Sequence, residues 1–173
     1  MANGILILSS AAAENIGSLV KTGVHATVAL QNGFVVALGA KSTTAGQKDA
    51  YVVTTPATAT LASDDFWMVY ESPIPTIEGW KGLTDDPRKF SIEAGKVFTM
   101  VKLLPGCEVV LSADALGGTK STNTYVVPAN ETCALTWAAN TTGVSFALKY
   151  EGDTFISVGN ERVTAYKFRC VLS

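Results

Sequence analysis

The clearest pattern in the chain is an alternation of apolar and polar side chains in its last third. It covers residues 144–151, where every second side chain is apolar, and residues 163–172, where Lys167 and Arg169 lie on the face opposite the aromatic residues. A period of two residues places successive side chains on opposite faces of an extended strand. The pattern therefore predicts two strands, each with one face toward a core, and it predicts a turn between them that starts at residues 151–153.

Further strands are predicted where β-branched and aromatic residues are bounded by turn-forming Gly, Pro and Asn. These segments are residues 26–30, 34–38, 50–54, 66–71, 97–104, 108–112, 124–127 and 133–137. Only residues 11–20 have a pattern compatible with a helix, and Gly17 interrupts it. Turn signals spaced by roughly 8 to 12 residues are typical of β-sandwiches and barrels. We therefore expect an all-β fold, an antiparallel sandwich or barrel.

Prolines and glycines between residues 73 and 92 divide the chain, because proline lacks the backbone donor that a strand ladder needs. The fold is therefore expected to consist of two small β-modules joined by an irregular Pro/Gly-rich segment. Ile77, Trp80 and Leu83 are candidate apolar anchors within this segment. The predicted units are an N-terminal arm or edge segment (1–22), a first β-module (23–72), the irregular segment (73–92) and a second β-module (93–173).

Composition and charge narrow the classes of partner. The chain has 13 basic and 15 acidic residues, a net charge of −2, and no window in which Lys and Arg cluster. This balance argues against a protein that binds nucleic acid through its phosphates, although a local basic face formed in the folded chain remains open. The longest aliphatic run, residues 5–8, is far shorter than the roughly 20 residues of a membrane span. No basic residue precedes that run, so we expect a protein used without export.

Residues typical of catalytic and metal sites are few. His25 is the only histidine, and the three cysteines lie far apart in sequence, unlike the close pairs of zinc or redox motifs. We expect His25 to be structural or on the surface and the thiols to be reduced, buried side chains. The acidic pairs at residues 64–65 and 85–86 adjoin turns, where capping is the expected role. The sequence therefore predicts no enzyme activity, no cofactor and no metal.

One region of the chain resembles a known family. Residues 82–90, 93–96 and 103–116 resemble a block found in small head proteins of tailed bacteriophages that infect Gram-positive bacteria. In that block, Leu-x-x-Gly-Asp enters a strand and is followed by Ser-x-x-Ala-Leu. Cys107 and Glu108 stand where the family usually has Gly-Asp. Segments 33–39 and 65–70 also fit, so the resemblance spans roughly residues 1–116.

The resemblance implies a decoration, or cement, protein that binds the outside of the assembled capsid and strengthens it. The implied partners are the major capsid protein and further copies of the chain, by analogy as a homotrimer, in a virion assembled in the host cytoplasm. The candidate residues for a capsid or subunit interface are apolar side chains of the N-terminal run and of the irregular segment: Ile5, Leu6, Ile7, Leu8, Ile77, Trp80 and Leu83.

The N-terminal apolar run leaves two interpretations open. As a mobile arm, residues 5–8 would add a strand to an edge of the coat protein, and removal of residues 2–10 would abolish capsid binding without unfolding the protein. As an edge strand, the same residues would belong to the chain's own sheet.

Two rival functions also stay open. The chain could be a tail-tube or head–tail connector subunit, which is also β-rich and self-associating. It could instead be a small carbohydrate-binding β-sandwich module that uses Trp67, Trp80 or Trp137 as a platform for a sugar ring.

Overall fold

The computed structural model describes residues 2–71 and 86–173, and within these ranges the protein is all-β. This confirms the predicted fold class. The strands are β1 (Leu6–Ser10), β2 (Val20–Val24), β3 (Val35–Lys41), β4 (Tyr51–Thr54), β5 (Phe66–Val69), β6 (Val97–Val101), β7 (Glu108–Ser112), β8 (Leu116–Gly117), β9 (Tyr125–Ala129), β10 (Thr132–Ala138), β11 (Ala147–Val158) and β12 (Glu161–Leu172).

The strands form a closed five-stranded barrel and a seven-stranded sheet. The barrel has the order β2-β4-β3-β5-β6, and the sheet has the order β1-β7-β12-β11-β9-β10-β8. Every pairing is antiparallel except those of β2 with β4 and of β10 with β8. The first and last strands of the chain thus lie on either side of β7 in one sheet.

The boundaries of the predicted units do not coincide with the division of the strands between the barrel and the seven-stranded sheet. Strand β6 lies in the predicted second module but closes the barrel by pairing with β2 and β5. Strand β1 lies in the predicted N-terminal unit but belongs to the seven-stranded sheet. The predicted connecting segment is described only from residue 86 onward, where Pro87–Lys89 form one 3-10 turn and Ile92 bridges to Leu30.

Three local predictions were wrong. Residues 11–20 form two short 3-10 turns, Ala12–Glu14 and Gly17–Leu19, and then enter β2. Residues 26–30 do not form a strand: the chain bends at residues 26 and 27, where a ring nitrogen of His25 accepts the backbone N–H of Val28 at 3.1 Å, and Leu30 forms an isolated bridge with Ile92. Residues 151–153 do not turn: β11 continues through them with a bulge after Tyr150 and reaches Val158.

The core consists of two main clusters on opposite sides of the barrel wall. One fills the barrel and includes Trp67, Phe98 and Met100. The other lies between barrel and sheet and includes Phe66, Met68 and Phe168. Strand β5 contributes to both clusters in alternation, and all four of its residues are buried. A strand covered on both faces reads as a continuous apolar run, which is why this segment shows no alternation.

Candidate functional site

The described interface candidates lie in and beside β1. Backbone pairing with β7 makes β1 an edge strand of the chain's own sheet, which is the second of the two interpretations of this segment. Ile5 and Leu6 are buried, Leu8 is half-buried against the core, and Ile7 is 44% exposed. Of the four side chains, only that of Ile7 is largely open to a partner. The other interface candidates, Ile77, Trp80 and Leu83, lie outside the described residues.

Strand β1 is paired on only one of its two sides among the described strands. Ser112 donates its backbone N–H to the carbonyl of Ile5, and its hydroxyl accepts the backbone N–H of Ile5. Ile5 and, two residues on, Ile7, which lies opposite Val110, therefore direct their main-chain groups toward β7. In an antiparallel ladder the intervening residues direct their N–H and C=O groups away from the partner. The main-chain groups of Leu6 and Leu8 therefore face outward, at an edge to which no other described strand is paired.

Strands β11 and β12 extend past the sheet as a hairpin arm, residues 155–164. The last residue of β12 paired with β7 is Ala165, so the arm residues pair only with each other. One face of the arm is anchored, because Ile156 is buried with Ile5. The other face carries Phe155, which is 50% exposed under the Arg162 guanidinium, 4.3 Å from the ring centroid. The hairpin arm thus exposes the Phe155 ring and the Arg162 guanidinium on one face, while Ile156 packs the other face against Ile5.

Three lysines, one carboxylate and one tyrosine surround one end of the barrel, which we call the barrel mouth. Each strand of the barrel contributes one of them at that end. Lys21 is near the start of β2, Lys41 ends β3, Tyr51 starts β4, Asp65 precedes β5 and Lys102 follows β6. The antiparallel register of β3, β5 and β6 brings these termini together.

The ammonium groups at the barrel mouth converge on two aromatic rings and one carboxylate. The Nζ atoms of Lys21 and Lys41 lie 4.4 and 5.8 Å from the centroid of the Tyr51 ring. Lys21 Nζ is also 5.2 Å from the Trp67 ring. The side chain of Lys102 lies 2.6 Å from Asp65, whose second oxygen accepts the indole N–H of Trp67 at 2.8 Å.

The charges at the barrel mouth act on Asp65. Burial alone would raise the pKa of this carboxyl, but hydrogen bonds from Lys102 and Trp67 and the charges of Lys102 and Lys21 together lower it below its usual range. Asp65 is therefore ionised at neutral pH, and the cluster of three lysines and one carboxylate carries a net charge of +2. Sequence inspection missed this cluster because its members are spread over residues 21–102. The only indication in the sequence was that a lysine lies at or next to one terminus of each of three strands, β2, β3 and β6.

His25 holds a buried polar network beside the barrel. Because Nδ1 accepts the backbone N–H of Val28, the ring proton lies on Nε2, which is 3.1 Å from the hydroxyl oxygen of Thr55. The same hydroxyl is 3.7 Å from the sulfur of Cys133. Burial lowers the pKa of His25 and raises the pKa of Cys133. This geometry fits a structural role for His25.

Acid is expected to destabilise the protein through His25. In the unfolded state the imidazole of His25 has a pKa of about 6.5, and in the folded state its pKa is lower. The contribution of neutral His25 to the stability of the fold is therefore complete above about pH 6.5. It is lost as the pH falls from about 6.5 through the lower pKa of the folded state, because a proton on Nδ1 removes the acceptor for Val28. Denaturation midpoints measured between pH 7.5 and pH 5 should therefore fall with pH. The variant His25→Asn keeps a side-chain acceptor without titrating and should show a flatter profile; equal slopes would contradict the assignment.

All three cysteines are buried and free. Cys107 and Cys170 are neighbours across β7 and β12, where the N–H of Cys170 donates to the carbonyl of Cys107 at 2.8 Å. Burial, with the proximity of Cys107, raises the pKa of Cys170 to about 12. The thiols thus pack as small hydrophobic side chains, as predicted.

The acidic pairs differ in role. Asp86 caps the 3-10 turn at Pro87–Lys89 by accepting the backbone N–H of Arg88, as predicted. Asp64 accepts the hydroxyl of Thr60 at 2.6 Å within a turn. Asp65 differs from the prediction, because it pairs with Lys102 at the barrel mouth. Asp85 lies outside the described residues.

Two of the three tryptophans are enclosed by the core. Trp67 lies inside the barrel at 4% exposure, and Trp137 is 8% exposed within a cluster with Tyr150, Tyr166 and Phe168. A sugar platform requires an open ring face, and neither residue offers one. Trp80 lies outside the described residues.

Comparisons with known proteins found no matching family model, no matching curated protein and no matching solved structure. Within residues 2–71 and 86–173, no three His, Cys, Asp or Glu side chains are grouped to hold a metal ion. No helix in these ranges is long and apolar enough to cross a membrane.

Proposed function

We propose that this chain is a structural protein of a bacteriophage virion that binds the outer surface of the assembled capsid and stabilises it. The observation that carries the proposal is the main-chain edge of β1, which no other described strand covers, beside the exposed Ile7. One buried cluster joins the barrel to the sheet that contains this edge. The resemblance of residues 82–116 to phage head proteins supplies the class of partner. Within that block, β6 closes the barrel and β7 pairs with β1.

The edge of β1 suggests how the capsid is bound. A strand of the major capsid protein would pair with the outward N–H and C=O groups of Leu6 and Leu8, and Ile7 would pack against its side chains. Such an edge is a template for pairing because no other described strand is paired with its hydrogen-bonding groups. A homotrimer would present three such edges at once, and the second and third contacts would then form at high effective concentration.

Co-sedimentation with capsids that lack the protein tests the proposal. The wild-type chain is expected to sediment with the capsids and to be a trimer by light scattering. The substitution Ile7→Lys places a charge at the edge and should weaken capsid binding by about tenfold or more. Val97→Lys is the matched control, since Val97 is 45% exposed on the barrel and Ile7 is 44% exposed.

Two results would count against the proposal. Wild-type protein that fails to sediment with the capsids would remove the capsid as partner. Equal binding by the two lysine variants would remove the β1 edge as the contact.

A further inference from the structure

Among the described residues, the barrel mouth carries three lysines and one carboxylate, which gives it a surplus of positive charge. In the part of the chain that the structure describes, Lys102 forms an ion pair with Asp65, whereas Lys21 acts on that carboxylate only through its charge. Lys21 contacts Tyr51 and Trp67, and Lys41 contacts Tyr51. An ammonium group over an aromatic face is held in place without losing its charge. Lys21 and Lys41 are therefore both positioned beside the Tyr51 ring and remain able to pair with an external anion.

We propose that the barrel mouth is a docking site for an acidic protein segment, bound through its carboxylates to Lys21 and Lys41. The inference does not rest on the proposed function, because it concerns the charge and geometry of the mouth whichever protein carries the segment.

The arrangement of the donors favours a chain of carboxylates over a single phosphate. The three ammonium groups come from three strands around the rim, and among the described residues only Lys102 forms an ion pair with the carboxylate, while Lys21 and Lys41 lie beside the Tyr51 ring. Lysine is a compact, strongly hydrated charge without the fork geometry that grips one tetrahedral anion. Asp65 already occupies one position between Lys102 and Trp67, which shows how a carboxylate fits among these groups.

Charge complementarity also disfavours nucleic acid as the occupant. Affinity for nucleic acid grows with the number of phosphates neutralised, and the described residues of the mouth supply a net charge of only +2 on a chain of net charge −2. A short acidic segment needs no wider basic surface. Attraction of this kind weakens as salt screens the charges.

Fluorescence anisotropy of a labelled hexaglutamate peptide tests the inference with the full chain. Binding at low salt is expected, and a hexaglutamine peptide should not bind. Lys21→Gln and Lys41→Gln should each weaken binding about threefold, and the double variant about tenfold. Asp65→Asn removes the internal carboxylate and should strengthen binding, an effect that general loss of structure would not produce. Lys149→Gln, an exposed lysine on β11, is the matched control and should leave binding unchanged.

Four outcomes would overturn the inference. They are absence of peptide binding, equal weakening by Lys149→Gln, lysine-dependent binding of inorganic phosphate without the peptide, and lysine-dependent binding of a single-stranded oligonucleotide without the peptide. Circular dichroism of each variant confirms that binding is measured on folded protein.

Discussion

Removal of residues 2–10 is expected to lower the free energy of unfolding by about 5 kcal/mol, a large share of the total stability of a domain of this size. The deletion takes away the buried side chains of Ile5 and Leu6 and the half-buried side chain of Leu8. It also leaves Ser112 without the carbonyl that its backbone N–H meets and without the N–H that its hydroxyl accepts. The expected result is thus the opposite of that for a mobile arm, which could be removed from a folded protein.

Urea denaturation followed by circular dichroism measures this loss. Two single substitutions in β1 provide the internal comparison, because they differ in burial at adjacent positions. Leu6→Ala should cost about 2 to 5 kcal/mol as a core truncation, whereas Ile7→Ala should cost less than about 1 kcal/mol. A truncated protein as stable as the full chain would restore the mobile-arm interpretation and would contradict the pairing of β1 with β7.

The all-β class was predictable from the sequence because most strands have one covered face and one wetter face, which gives a period of two. The prediction was poorer where burial departs from that rule. The continuous apolar run in β5 predicts a strand. It does not predict that one face of this strand lines the barrel while the other faces the sheet. At residues 151–153, Gly152 and Asp153 suggested a turn, whereas cross-strand pairing of β11 with β12 extends the hairpin through them.

The candidate surfaces were less predictable than the fold because they depend on which strands become neighbours. The apolar run at residues 5–8 was visible, but its role as an edge strand follows from long-range pairing with β7. The barrel mouth joins side chains from five strands, and the position of Lys41 beside Tyr51 is set by the register of β3 on β4. The spacing of residues along the sequence does not determine that register. The surplus of positive charge at the barrel mouth is therefore apparent only in the folded chain.

The second prediction concerns the buried cluster between the barrel and the sheet. Phe66 is buried at 1% exposure in the cluster between them and meets the ring of Phe146 edge-on, with centroids 6.5 Å apart. Phe66→Ala should therefore cost about 3 to 5 kcal/mol, because truncation loses apolar burial and leaves a cavity. Phe155→Ala is the matched control on the hairpin arm, where the ring is half exposed, and should change stability by about 0.5 kcal/mol.

The same measurement decides whether barrel and sheet unfold together. Since one continuous cluster joins them, fluorescence and circular dichroism should report a single coincident transition in the wild type and in both variants. Phe66→Ala should move that transition to lower denaturant without splitting it. Two separate transitions in the wild type, or equal stability of the two alanine variants, would mean that the cluster does not couple the two halves. Under the proposed function, such coupling would carry a load from the β1 edge to the barrel, because Leu6 of β1 and Phe66 of β5 belong to the same buried cluster.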